Sequence, residues 1–213
     1  MKPATAIAHP NIALSKYWGK CAGVGNFPAV PSLSLTLEGL STTTRVTFDA
    51  NARADTLLLN GVAAEGEPLI RVSALLDRVR ASAELGLRAR VETHNDFPTA
   101  SGLASSASGF AALALAATRA AGVDWDVVRV SDLARRSSAS AARSLFGGLV
   151  ELPAGAADAR EADVLAARAL DVAPELATGL RVVVCVTTEG AKPFGSTARR
   201  RAKSSRGLNG LGT

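Results

Sequence analysis

Residues 98–109 hold the feature that most limits how this chain can fold: a run of small and hydroxylic residues between segments of opposite periodicity. Before it, Leu87, Ala89 and Val91 alternate with Arg88, Arg90 and Glu92, the period-two pattern of a half-buried strand. After it, residues 110–117 are apolar and mostly alanine, which predicts a buried helix. A strand, a small-residue turn and a helix start gather several unpaired backbone N–H groups, with the positive end of the helix behind them. Gly102 lets the backbone approach a ligand closely, and Ser101, Ser105, Ser106 and Ser108 add hydroxyls. That is the make-up of a phosphate cradle. A serine-rich cap leading into a core helix is the plainer reading, and composition leaves both open. The stretch has neither the Gly-Lys-Ser/Thr of a P-loop nor the GxGxxG of a dinucleotide site.

At 213 residues the chain can bury a sizeable core, as one large domain or two small ones. Cys21 and Cys185 lack metal-type spacing and read as free thiols, which points to a reducing cytoplasm. No signal-peptide pattern opens the chain and no run approaches 18 apolar residues, so a soluble cytoplasmic protein is expected. The net charge of +5 raises nucleic acid as a partner, but its location counts against that. Residues 198–213 contain Arg199, Arg200, Arg201, Lys203 and Arg206 and no acid, so they hold the whole excess, and residues 1–197 are neutral.

Along the chain, residues 4–15 read as one early strand with a polar interruption at His9-Pro10-Asn11. Lys16-Tyr17-Trp18-Gly19-Lys20 follows, either a half-exposed strand with a solvated lysine edge or a set of cations and a phenol aimed at a phosphorylated substrate. Residues 33–37, 43–48 and 56–59 read as strands, the last closed by the turn signal Asn60-Gly61. Residues 69–85 have helical spacing with Val72, Leu75, Leu76 and Val79 on one face, and 124–136 form another helix with Val127, Val128, Val130 and Leu133 apolar. Residues 137–148 are again small and hydroxylic, with Arg143 among them. They form either a flexible loop with a solvated arginine or a second anion site in which Arg143 grips a carboxylate or phosphate. Residues 150–152 and 180–186 read as strands, with a surface loop at 153–163. The fold class expected is α+β.

Four ordered blocks carry a resemblance. Asn11 to Lys20, Pro31 to Leu37, His94 to Ser106 and Ala134 to Gly148 resemble the mevalonate diphosphate decarboxylases of the GHMP small-molecule kinase superfamily. The resemblance implies a GHMP-kinase N-terminal domain over residues 1–197, binding ATP and mevalonate 5-diphosphate, with the last strand (about 180–197) opening a C-terminal domain. It implies ATP-dependent decarboxylation to isopentenyl diphosphate, in isoprenoid biosynthesis. ATP with Mg²⁺ would be held by Ser101, Gly102, Leu103, Ala104, Ser105, Ser106 and Ser108, the metal's ligands being unassigned. Lys16, Ser106 and Arg143 would be catalytic, Arg143 orienting the carboxylate that leaves as CO₂. Tyr17, Lys20, Arg71, Ser138, Ser140 and Ser196 would contact the substrate, and His94 would be a structural hydrogen-bonder. A homodimer is the assembly it allows, with no nucleic acid or membrane partner.

After Thr197 the resemblance stops, and a frameshift or truncation with a disordered basic tail is the expectation. The family's catalytic aspartate lies in its C-terminal half, so turnover by these residues is not expected unless Asp96 or Glu189 substitutes. Phosphorylation of mevalonate or phosphomevalonate without decarboxylation, and a catalytically dead binding module, are the alternatives.

Overall fold

In the computed structural model, which describes residues 1–16, 19, 21, 25–98, 104–156 and 158–183, the alternating segments pair into two sheets. The larger sheet contains β1 (Ala4–Ala8), β4 (Thr42–Asp49), β5 (Thr56–Leu59), β6 (Val62–Ala63) and β7 (Arg88–Asn95), in the order β1-β4-β7-β5-β6. Its pairs are antiparallel except β5 with β7. A parallel pair needs a long crossover, and α1 (Glu67–Ala83) supplies it. The smaller sheet runs β2 (Asn11–Ser15), β3 (Ser32–Thr36), β8 (Leu149–Leu152), β9 (Arg168–Ala169), all antiparallel.

Period-two alternation decides which face of the larger sheet is covered. Thr44, Val46, Phe48, Ala89 and Val91 are buried, while Arg45, Arg88, Arg90 and Glu92 face water. Against the buried face pack Val72, Leu75, Leu76 and Val79 of α1, the alanines of α2 (Ser105–Ala120), and Val130 and Leu133 of α3 (Val127–Ser137). Alanine side chains are short, so α2 can lie close against β1 and β4 as the central helix. Asp126 caps α3 by accepting the Arg129 N–H at 2.8 Å.

Several expectations from sequence need correction. The single early strand is two strands in different sheets, because the chain turns at His9-Pro10: His9 Nδ1 hydrogen-bonds Leu40 O at 2.8 Å and Pro10 O accepts the Leu37 N–H at 2.9 Å. Residues 137–148 are no flexible loop. They contain a 3₁₀ helix, Ala139–Leu145, that joins α2 and α3 to the smaller sheet. Val127 and Val128 sit on the exposed side of the first turn of α3. Leu180 caps a short α4 (Pro174–Gly179), and residues 181–183 form no strand; the rest of that expected strand, with Cys185 and the basic tail, lies outside the described residues.

One ion pair lies deep in this frame. Asp55 precedes β5 and accepts both Arg80 donors at 3.0 and 2.9 Å and the Ala89 N–H at 2.9 Å, fastening α1 to the start of β7.

Candidate substrate and nucleotide site

β3 carries the residues on which the site is built. Its hydroxyls, Ser32, Ser34 and Thr36, are buried, whereas Leu33 and Leu35 on the opposite face are only half-buried. An inward hydroxyl face is costly without partners, and Arg143 of the 3₁₀ helix supplies them. Its Nε donates to Ser34 Oγ at 2.9 Å and one terminal nitrogen to Ser32 Oγ at 2.6 Å; the other lies 3.4 Å from Asn11 Oδ1. Asn11 Nδ2 donates to Ser144 Oγ at 2.7 Å and to Ser140 O at 3.0 Å. Arg143 as a whole is 2% exposed. A solvated Arg143 is therefore excluded, and its position is set by two strands and a helix.

From this point the polar contacts continue. Ser138 and Ser140 share a hydroxyl–hydroxyl hydrogen bond of 3.2 Å. Arg71 donates to Ser137 O at 3.1 Å and lies over the Phe110 ring, 4.6 Å from its centre, tying the second turn of α2 to the end of α3. Beside it, Ser137 Oγ is a buried polar atom with no hydrogen-bond partner among the described residues. Such an atom is uncommon in a native interior and calls for an explanation. Lys16 is exposed and leaves β2 next to the start of β3: Ser15 pairs with Leu33, so Lys16 departs at the Ser32 end.

Of the expected nucleotide residues, Ala104, Ser105, Ser106 and Ser108 are described and lie at the start of α2. Ala104, with φ 57°, takes the left-handed conformation just before the helix, and among the described residues no side chain caps the first turn. Ser105 is half-buried and Ser106 exposed. Ser108 is fully buried; its hydroxyl lies 2.7 Å from Thr42 Oγ1, which donates to Asn95 Oδ1 at 2.6 Å. Ser108 thus pins the helix start to β4 and the end of β7. Replacing it with alanine is expected to cost about 1–3 kcal/mol of stability, measurable by denaturant unfolding.

Tyr17, Lys20, Ser101, Gly102, Leu103, Ser196 and Glu189 lie outside the described residues. The structure brings Arg71, Ser138, Ser140 and Arg143 into one connected cluster, with Asn11, Ser32 and Ser34, which sequence analysis did not single out. The signal for the last two was the strict Ser-Leu-Ser-Leu-Thr alternation. Asp96 is exposed, and its carboxylate accepts the Ser41 N–H and hydroxyl, both at 2.7 Å. The Ser41 N–H hydrogen bond, aided by the hydroxyl, holds it below the ordinary carboxylate value, which makes it a weak base. His94 is exposed on β7; it is His9 that carries the structural hydrogen bond.

Comparisons with known proteins bear on this geometry. The profile of the diphosphomevalonate decarboxylase-like N-terminal domain matches residues 8–165. Diphosphomevalonate decarboxylase of Rattus norvegicus is 39% identical over 211 residues, covering 91% of this chain and 50% of the relative. Phosphomevalonate decarboxylase of Haloferax volcanii is 41% identical over 155 residues, covering 73% and 48%. Among solved structures, the mevalonate diphosphate decarboxylase of Staphylococcus aureus superposes with a TM-score of 0.74 at 42% identity, covering 80% of this chain and 50% of that one. A complex described as MDDEF with MVAPP, AMPPCP and magnesium gives 0.72 at 44%, covering 79% and 50%. The fold is that of a GHMP-kinase N-terminal domain. Within that class, the chain belongs to the diphosphomevalonate decarboxylase family. It spans about half the length of the curated relatives it matches.

Proposed function

We propose that this domain binds mevalonate 5-diphosphate and ATP and aligns them for ATP-dependent decarboxylation to isopentenyl diphosphate. The observation that carries it is the Arg143 guanidinium, buried and fixed by Ser32, Ser34 and Asn11. A fixed guanidinium suits a planar carboxylate, because its donors are already oriented and little is lost on binding.

In this scheme the tertiary 3-hydroxyl is first phosphorylated, which turns it into a leaving group. Loss of that phosphate, with cationic character at C3, then accompanies loss of CO₂. Arg143 orients the carboxylate. Ser138 and Ser140 donate to the substrate, and Arg71 contributes to holding the diphosphate together with Tyr17, Lys20 and Ser196. Lys16 stands near the transferring phosphoryl group. Such transfers are catalysed mainly by positioning and by charge.

The start of α2 suits the nucleotide phosphates: Ala104 turns the chain into the helix, and among the described residues no side chain caps the first turn. Ser101, Gly102, Leu103, Ser105 and Ser106 complete the cradle, with Ser106 placed at the reacting phosphates and Ser108 holding the helix start from beneath. Mg²⁺ would offset phosphate charge there. Among the described residues no group of three or more His, Cys, Asp or Glu side chains could cage it, in keeping with an ion held chiefly by phosphate oxygens.

Gly102→Val is expected to weaken ATP binding at least about tenfold, since two methyl groups would fill the space where backbone meets phosphate; unchanged affinity by calorimetry would leave the loop as a helix cap only. Product analysis with carboxyl-labelled mevalonate 5-diphosphate tests the reaction. Labelled CO₂ released together with ADP supports decarboxylation. ADP without CO₂ marks phosphorylation alone, and neither product with both ligands bound marks a binding module. The Haloferax relative favours a second substrate, phosphomevalonate, and the same assay run with it separates the two.

A further inference from the structure

We propose that Arg135 of α3 is a positioning residue for the segment that carries Lys16, an inference that rests on the substrate-binding reading above. Arg135 is fully buried, and every part of its guanidinium is engaged. Nε donates to Leu165 O at 3.0 Å, one terminal nitrogen donates to Gly25 O, the other to Asp132 Oδ1 at 2.6 Å, and the plane lies over the Phe27 ring, 3.9 Å from its centre. Asp132 is itself fixed, accepting from Arg136 at 2.8 Å and from the Leu165 N–H at 2.9 Å.

Gly25 and Phe27 belong to the connection between β2 and β3, whose described residues share two backbone hydrogen bonds. The Cys21 N–H donates to Phe27 O at 3.0 Å and the Ala29 N–H to Gly19 O at 3.4 Å. The two arms are therefore tied together, with Gly19 and Cys21 on the outgoing arm that begins at Lys16. α3 holds the returning arm at three points. Arg135 takes Gly25 and Phe27, and Asn26 Nδ2 donates to Arg136 O at 2.5 Å. Phe27 is wedged between glycines, since a Cβ on Gly25 or Gly155 would lie 2.9 or 2.8 Å from it. In this proposal a shift of Arg135 passes to Phe27 and, through the Cys21–Phe27 hydrogen bond, to Cys21 on the arm that follows Lys16.

The test uses the whole chain with two variants. Arg135→Lys keeps the charge but loses the fork. Gly25→Ala strains the arm itself and leaves the Arg135 side chain unchanged, because Gly25 has φ +94° and a methyl group there would lie 2.9 Å from Phe27 and 3.6 Å from Arg135. Both are expected to raise the Kd for mevalonate 5-diphosphate at least about tenfold, leaving the Kd for ATP within about twofold. Amide exchange in residues 16–21 should accelerate at least about tenfold, with exchange in α2 unchanged. Unchanged exchange in residues 16–21, or equal weakening of both ligands with faster exchange in α2, would overturn the proposal. Should the wild-type chain bind no mevalonate 5-diphosphate, the substrate reading fails, and exchange in residues 16–21 alone decides the positioning role.

Discussion

Arg143→Ala is expected to weaken mevalonate 5-diphosphate binding by about 2–5 kcal/mol, roughly 30- to 4,000-fold in affinity, while ATP affinity stays largely intact. The magnitude is that of truncating one partner of a buried charge pair, for an arginine that is 2% exposed. Alanine also strips Ser32, Ser34 and Asn11 of a donor, so the variant should lose about 1–3 kcal/mol of stability as well. Arg143→Lys separates the two effects. It restores the charge but not the planar fork, so it should recover part of the stability and little of the affinity. Near-normal affinity in the alanine variant at a temperature where it is folded would remove Arg143 from the site.

The second large effect is on the fold. Asp55→Ala should cost about 3–5 kcal/mol, because among the described residues it leaves the buried Arg80 guanidinium with only Asp77, an exposed carboxylate, as a salt-bridge partner. In a chain of this size that lowers the melting temperature by on the order of 10 °C. Burial pushes the Asp55 carboxyl up, but the Arg80 hydrogen bonds and the Ala89 N–H outweigh it and hold the group below the ordinary carboxylate value. The sign follows directly. A depressed folded-state value contributes stability that is present above the unfolded-state value, about pH 4, and is lost as the pH falls through the folded value. Asp55→Asn should therefore be less stable than wild type at neutral pH and show a flatter loss of stability below about pH 4. Parallel acid unfolding curves for the two proteins would contradict this.

Much of this was legible in the sequence, for identifiable reasons. Helix α1 and strands β4, β5 and β7 announced themselves because each buries one face, and a half-buried element must alternate or repeat. The split between β1 and β2 was hidden because both segments are apolar, and only tertiary hydrogen bonds at His9-Pro10 turn the second into another sheet. Strand β3 was found but its inward face was not evident. Its leucines are the natural candidates for burial, yet Arg143, 109 positions away from Ser34, draws the serines inside. That contact is invisible to any local pattern. The same holds for Ser108, whose place in a serine run gave no sign that it reaches Thr42 across the core. Arg135 was likewise just one residue of a helix until Gly25 and Phe27 were placed against it.

Calorimetric titration of the purified chain with mevalonate 5-diphosphate, set beside titration with mevalonate, bears most directly on the claim that the Arg143 cluster receives this substrate. The expected result is saturable one-site binding of the diphosphate and affinity at least about tenfold weaker for mevalonate, which offers the carboxylate to Arg143 but nothing to Arg71. Equal affinity for the two compounds, or no binding of the diphosphate at all, would contradict it.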